Sequence, residues 1–295
     1  MKFKRIAFIA LMALLAIPAL AQNDEHTITF NNFSFSFDST LASSVNITRF
    51  AGDSLDPEHP GGPEVAHTQF LLYSDPPVPT IITAATAAIR VYRTADFAFY
   101  EATTRSSPFA ELQRLQMLLS ERPDLDRFME ATEDPDLLPF MPRLTGWQII
   151  RARAEYIDTS SLQGVSYVTV LRIDDSYPLL GSDFLYTFQG ISRDGLYYVA
   201  TISKLSTGLF PSHTPAEYDE TILSQPDYLS QSIATLNDAS PDDFTPSLDA
   251  LDALVQTFSF GAGVIASPSG IQLAGRSGER SAFFERGKPF SYADA

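Results

Sequence analysis

Histidine is the commonest metal ligand in proteins, and this chain of 295 residues has four of them. They are His26, His59, His67 and His213, and no H-x-H or H-E-x-x-H spacing places two of them on one face of a strand or helix. His59, in a loop, and His67, on a predicted strand, form the best pair, which alone is a weak signal. Because there is no cysteine to add thiolate ligands, we expect no zinc site.

Acidic side chains are the more abundant potential ligands, with 36 Asp and Glu in the chain. Calcium prefers such oxygen ligands, yet no cluster matches the D-x-[DN]-x-[DN]-G loop with a distal Glu. We interpret the clusters mainly as turn residues and as charges at helix N-termini, which complement the helix dipole. We therefore expect no cofactor, with calcium as the alternative. The clusters are Glu133-Asp134-Asp136, Asp174-Asp175, Glu217-Asp219-Glu220 and Asp238-Asp242-Asp243.

Motifs for nucleophilic catalysis or nucleotide binding are absent from the sequence. There is no G-x-S-x-G, because Gly275-Arg276-Ser277-Gly278 breaks the spacing, and no S-x-x-K or phosphate-binding glycine loop. A pair of carboxylates about 5–9.5 Å apart could hydrolyse a glycosidic bond, but spacing along a chain does not reveal such a pair. The sequence thus favours a non-catalytic role and leaves a carboxylate-pair hydrolase as the alternative.

One group of side chains has the chemistry of a binding surface. Trp147, Arg151 and Arg153 fall on the same face of a predicted strand. Arginine pairs with carboxylates through its planar fork, and tryptophan stacks on rings, so the three residues are candidates for binding a carboxylate or a sugar. We favour the other interpretation, an ordinary exposed sheet face on which the arginines pair with acids across strands.

The N-terminal residues predict a secretory signal peptide. Lys2, Lys4 and Arg5 precede an apolar run at 6–17, and Ala19-Leu20-Ala21 is an A-x-A cleavage site. We expect cleavage after Ala21, a secreted or extracytoplasmic protein, and no transmembrane segment in the mature chain, because no later apolar run approaches about 20 residues. The net charge of −16 argues against nucleic acid as a partner, since a phosphate backbone requires clustered basic residues.

Alternating apolar and polar residues predict several strands in the first hundred positions. In Phe33–Phe37 every second residue is phenylalanine, which is the period that places side chains on one face of a strand. Further strands are predicted at 44–50, 65–73 and 88–93.

Residues 147–204 are the most regular part of the chain and predict a meander of four strands. Polar turns separate the strands, and Asp194-Gly195 is of the Asp-Gly type that joins antiparallel neighbours. Both faces of the middle strands are apolar, so we expect helices or another sheet on each side.

Helices are predicted to pack on this sheet. Ser107-Pro108 begins the first, because serine caps a helix and proline is tolerated at its first position. Asp227 and Thr245-Pro246 begin two more, and the apolar, proline-rich connector at 133–142 is expected to pack on the domain. The overall prediction is an α+β fold in which the meander and the N-terminal strands form an antiparallel sheet. We expect a single domain at 26–260 and a flexible tail at 261–295.

The meander also carries a family resemblance. The run from Phe184 to Gly190, FLYTFQG, followed by Asp194–Val199, DGLYYV, resembles the YTFQG…DGKYYV core of a family of secreted bacterial proteins of the Chloroflexota type. The similarity extends to VYRTADF at 91–97 and to the LLPFMP connector; this chain departs from the pattern at Ser203–Leu205 and in its tail. The resemblance implies no activity. The signal peptide, the regular meander and the absence of catalytic motifs predict a non-catalytic extracytoplasmic binding protein or a component of the cell envelope.

Overall fold

The computed structural model describes most of the chain between residues 25 and 261. The described residues are 25–55, 62–101, 107–130, 137–173, 177–219, 221–222 and 225–261. The predicted signal peptide, the predicted tail after Gly261, and the acidic clusters at 133–136 and 174–175 lie outside them.

The described residues form twelve β-strands and three α-helices joined by turns. The strands are β1 (Glu25–Phe30), β2 (Phe33–Asp38), β3 (Ser44–Phe50), β4 (His67–Tyr73), β5 (Ala87–Arg93), β6 (Trp147–Asp158), β7 (Leu162–Arg172), β8 (Leu185–Ser192), β9 (Tyr197–Lys204), β10 (Ser206–Thr207), β11 (Phe244–Thr245) and β12 (Ser259–Phe260). The helices are α1 (Pro108–Glu121), α2 (Pro226–Asp238) and α3 (Leu248–Gln256).

A seven-stranded antiparallel sheet is the centre of the fold, with the strand order β3-β4-β5-β9-β8-β7-β6. The predicted meander forms its β6–β9 half, and β5 pairs with β9 to add the N-terminal strands. The predicted α+β fold with a mostly antiparallel sheet is therefore confirmed. Both faces of the sheet are covered, as the apolar faces of its middle strands predict.

The first face is covered by α2, α3 and a small sheet of β1, β2 and β12. The alternation in β2 buries Phe33, Phe35 and Phe37 on one side. The ring of Phe33 meets those of Phe70 in β4 and Phe258 after α3, with centroids 5.6 and 5.3 Å apart. Burial of these large rings supplies much of the hydrophobic stabilisation on this side.

The second face is covered by α1 and by the connector before β6. Ser107 caps α1 by accepting a hydrogen bond from the Phe109 nitrogen at 3.1 Å, as predicted. In the connector, Met141 is buried, and its backbone is held by the buried Gln189 side chain, whose Oε1 accepts from the Met141 nitrogen at 2.9 Å. Nε2 of Gln189 donates to the Met141 oxygen at 2.8 Å. This part of the connector is packed as predicted.

Two helix starts differ from the prediction. Gln225, and not Asp227, is the residue before α2. Ser247, and not Thr245, precedes α3, because Thr245 is held extended in the two-residue ladder between β11 and β10. A cap residue followed by proline is a local sequence pattern, so it does not reveal such a tertiary pairing. In the part of the chain that the structure describes, no helix is long and apolar enough to cross a membrane.

Candidate binding pocket

The three predicted binding residues do not share a surface. Trp147 is 56% exposed at the start of β6, but Arg151 is only 1% exposed. Nε of Arg151 donates to the Phe128 oxygen at 2.6 Å, and Nη1 donates to the Gln148 oxygen at 2.7 Å. The expectation of an exposed Trp–Arg–Arg platform is therefore wrong in its geometry, because Arg151 is buried against the 3₁₀ turn at Leu125–Phe128. Ligand binding by Trp147 itself stays a prediction.

A β-bulge in β6 sends Arg153 to the other face of the sheet. The register shifts between Ala152 and Glu155, and Arg153 has a left-handed φ of 54°. A bulge adds one unpaired residue and reverses the facing of the residues that come after it in the strand. With strict alternation, Glu155 would lie on the same face of the sheet as Arg151. Because of the bulge, Glu155 lies on the face that α2 and α3 cover.

Arg153 binds the C-terminal end of α2. Its Nη1 donates to the backbone oxygens of Leu236, Asn237 and Ala239 at 3.3, 3.2 and 2.6 Å, and its backbone nitrogen donates to Asn237 Oδ1 at 2.7 Å. The last carbonyls of a helix have no partner within the helix, and a cation there also complements the dipole. These bonds fix the position of the guanidinium.

A cavity of about 200 Å³ lies beside Arg153, between β6–β8 and the start of α3. Three acidic side chains line it: Glu155 from β6 and Asp249 and Asp252 from α3. The two aspartates are three residues apart, which places them on one face of the helix. The other lining residues are Ser166, Tyr167, Val168, Tyr186, Pro241 and Leu248.

Asp252 interacts with both the charged and the polar groups that line this cavity. The buried Tyr186 hydroxyl donates to its Oδ1 at 2.7 Å. Burial raises the pKa of Asp252, and the negative charges of Glu155 and Asp249 add to the rise, whereas the Tyr186 hydrogen bond and the Arg153 cation oppose it. In turn, burial and the Asp252 carboxylate hold the pKa of Tyr186 well above its ordinary value. The hydroxyl therefore stays protonated and keeps donating.

The three carboxylates lack a basic partner at contact distance. Across the described ranges, no Lys or Arg nitrogen lies within 4 Å of Glu155, Asp249 or Asp252. Even Arg153, which lines the same cavity, is not paired with them. Like charges that share a small, partly enclosed volume favour a cationic ligand.

The other acidic clusters are turn and cap residues where their structure is described. Asp219 accepts hydrogen bonds from the Thr221 nitrogen and hydroxyl at 2.8 and 2.7 Å, and Asp243 accepts from the Ser240 nitrogen at 2.8 Å. Within the described residues, no three His, Asp or Glu side chains are placed to hold a metal ion. His67 is buried between aromatic rings, and His59 lies outside the described residues.

Sequence reasoning missed this pocket because its acids come from positions 155 and 249–252, far apart in the chain. One usable signal was present: Asp249-x-x-Asp252 lies on one side of α3, next to the apolar stripe of Leu248, Leu251 and Val255. Two acids on one helical face were consistent with an ordinary solvated surface, and only the bulge in β6 brings Glu155 to them.

Comparison with known proteins adds no relative to this description. Comparisons with protein-family models, with curated proteins and with solved structures found no match. The resemblance to secreted bacterial proteins stays a prediction.

Proposed function

We propose that this protein is a non-catalytic extracytoplasmic binding protein, a solute-binding component of the cell envelope, and that its acidic pocket binds a small organic cation. The observation that carries the proposal is the Asp252 carboxylate. It is partly buried, its pKa is raised, and it has no basic contact partner among the described residues. A cation that entered the cavity would stabilise the ionised form of Asp252 and relieve its repulsion by Glu155 and Asp249. The extracytoplasmic location is inferred from the N-terminal sequence pattern.

An ammonium group suits the shape and polarity of this pocket. It donates up to three hydrogen bonds, and the cavity offers carboxylate acceptors from both β6 and α3. The lining also includes Val168 and Leu248, against which a short apolar stem could pack. Calcium suits this pocket less well, because it takes six to eight converging oxygen ligands.

Isothermal titration calorimetry with pentylamine at pH 7 tests the proposal. Wild-type protein should bind the amine, and Asp252→Asn should weaken binding about tenfold or more, because a hydrogen bond between two charged groups becomes one to a neutral group. Asp75→Asn, which removes the same charge from the exposed loop after β4, is the matched control and should bind as the wild type does. No binding by the wild type, or equal binding by Asp252→Asn, would overturn the proposal.

The pocket also supports a second candidate, a hydrolase that uses a carboxylate pair. The favouring observation is that Asp252 has a raised pKa beside the exposed Glu155, since acids whose environments differ can divide the roles of proton donor and base or nucleophile. Release of nitrophenol from a panel of nitrophenyl glycosides tests this alternative. Turnover that is lost in both Asp252→Asn and Glu155→Gln would favour the hydrolase, and no turnover by the wild type would count against it.

A further inference from the structure

Part of the Arg153 guanidinium has no hydrogen-bond partner among the described residues. Its three carbonyl partners at the end of α2 all bind Nη1. Neither Nε nor Nη2 is hydrogen-bonded to any residue that the structure describes. Since the guanidinium is planar, anchoring Nη1 also orients the opposite edge. The two N–H groups of that edge point in parallel and can bind both oxygens of one carboxylate.

The pocket therefore carries both signs of charge without pairing them. Arg153, Asp252, Glu155 and Asp249 all line the cavity. The Arg153 cation is near enough to oppose the pKa rise of Asp252, yet it forms no ion pair with any of the three acids. Opposite charges fixed apart on the wall of one cavity are complementary to a ligand that carries the reversed pair.

The volume of the cavity limits the size of that ligand. Pockets for drug-sized molecules are about 300–1,000 Å³, and this one is about 200 Å³. Its lining mixes the charged groups with the Tyr186 hydroxyl at the Asp252 end and the apolar Val168 and Leu248. A ligand with an ammonium, a carboxylate and a short aliphatic chain matches this lining.

We propose, on the basis of the cation-binding function above, that the pocket selects small zwitterions of the amino-acid class. The ammonium group is bound by Asp252, with Glu155 and Asp249 nearby, and the carboxylate is bound by the Nε–Nη2 edge of Arg153. In this arrangement Arg153 has two roles, because the same side chain binds the end of α2 and the ligand.

Three related ligands and the wild-type protein test the assignment by calorimetry. Norleucine has both charges, pentylamine has only the ammonium, and N-acetylnorleucine has only the carboxylate. Norleucine should bind about tenfold or more tightly than pentylamine, because it adds a bidentate, charge-assisted contact. N-acetylnorleucine should bind most weakly, since it brings a carboxylate near three acids without the ammonium that compensates them.

The outcomes separate this inference from the proposed function. Equal affinities for norleucine and pentylamine would overturn the zwitterion assignment and leave cation binding standing. Absence of binding by both would overturn both. If N-acetylnorleucine bound as tightly as norleucine while pentylamine did not bind, the pocket would be an anion site and both proposals would fail.

Arg153→Lys supplies a second measurement, because lysine keeps the positive charge and loses the fork. Norleucine affinity should fall much more than pentylamine affinity, so that the two affinities approach each other. An equal loss for both ligands would mean that Arg153 acts only by holding α2, and this result would overturn its assignment to the carboxylate.

Discussion

Asp252 links the pocket to the pH dependence of stability. Folding raises its pKa, so the stability that this group contributes is complete below its unfolded pKa of 3.8 and is lost as the pH rises through the folded value. Asparagine does not titrate and keeps an oxygen that can accept from Tyr186. Asp252→Asn should therefore have a higher Tm than the wild type at pH 7, with the difference disappearing near pH 3. Thermal unfolding at both pH values checks this, and a lower Tm for the variant at pH 7 would contradict it.

His67 should make the protein acid-sensitive. Its Nδ1 lies 2.8 Å from the Val65 oxygen, Nε2 is buried without a hydrogen-bond partner among the described residues, and Phe50 stacks on the ring. Burial, with the Arg90 cation as the next cause, lowers the pKa of His67 from 6.5 to about 3. The unfolded chain thus binds more protons between these values, and stability is complete above pH 6.5 and falls as the pH drops toward 3.

The size of this effect can be measured with His67→Gln, which cannot take up the proton. One such histidine costs at most about 1.4 kcal/mol per pH unit within the window. Urea unfolding at pH 4, 5, 6 and 7 should show a shallower loss of stability for the variant than for the wild type. Parallel losses in the two proteins would assign the acid sensitivity to other groups.

Among the elements, the connector before β6 depends on one buried side chain. Gln189 in β8 bonds both the nitrogen and the oxygen of Met141, and it also accepts from the Tyr198 hydroxyl at 2.5 Å. Gln189→Leu leaves these buried groups without partners, which costs about 1–3 kcal/mol for each. We expect a loss of several kcal/mol in urea unfolding. Gln163→Leu, at a partly exposed position in β7, is the control and should lose much less.

Local patterns accounted for the elements better than for the site. The meander follows from period-2 alternation and the Asp194-Gly195 turn, which act over neighbouring residues. Burial of Arg151 depends on the turn at Phe128, and the facing of Arg153 and Glu155 depends on a bulge. Neither is encoded in the spacing of apolar residues, so the predicted binding surface was wrong in its geometry and the pocket was not foreseen.

At the scale of the whole molecule, the net charge should influence the binding of a cationic ligand. The net charge of −16 creates a field that attracts cations, so affinity for pentylamine should fall as salt is added.

The N-terminal pattern predicts that the exported protein begins at Gln22. N-terminal sequencing of the protein from an extracytoplasmic fraction checks this second expectation, and an intact Met1 in that fraction would contradict cleavage after Ala21.

The most direct test of the central claim is a carbon-13 NMR titration of the Asp252 carboxyl group, with and without saturating pentylamine. Asp252→Asn assigns the resonance by its absence. A bound ammonium stabilises the ionised carboxylate, so the raised pKa of Asp252 should fall when the amine is present. Binding of the amine with no change in the pKa of Asp252 would place the ligand elsewhere and would contradict the proposed function.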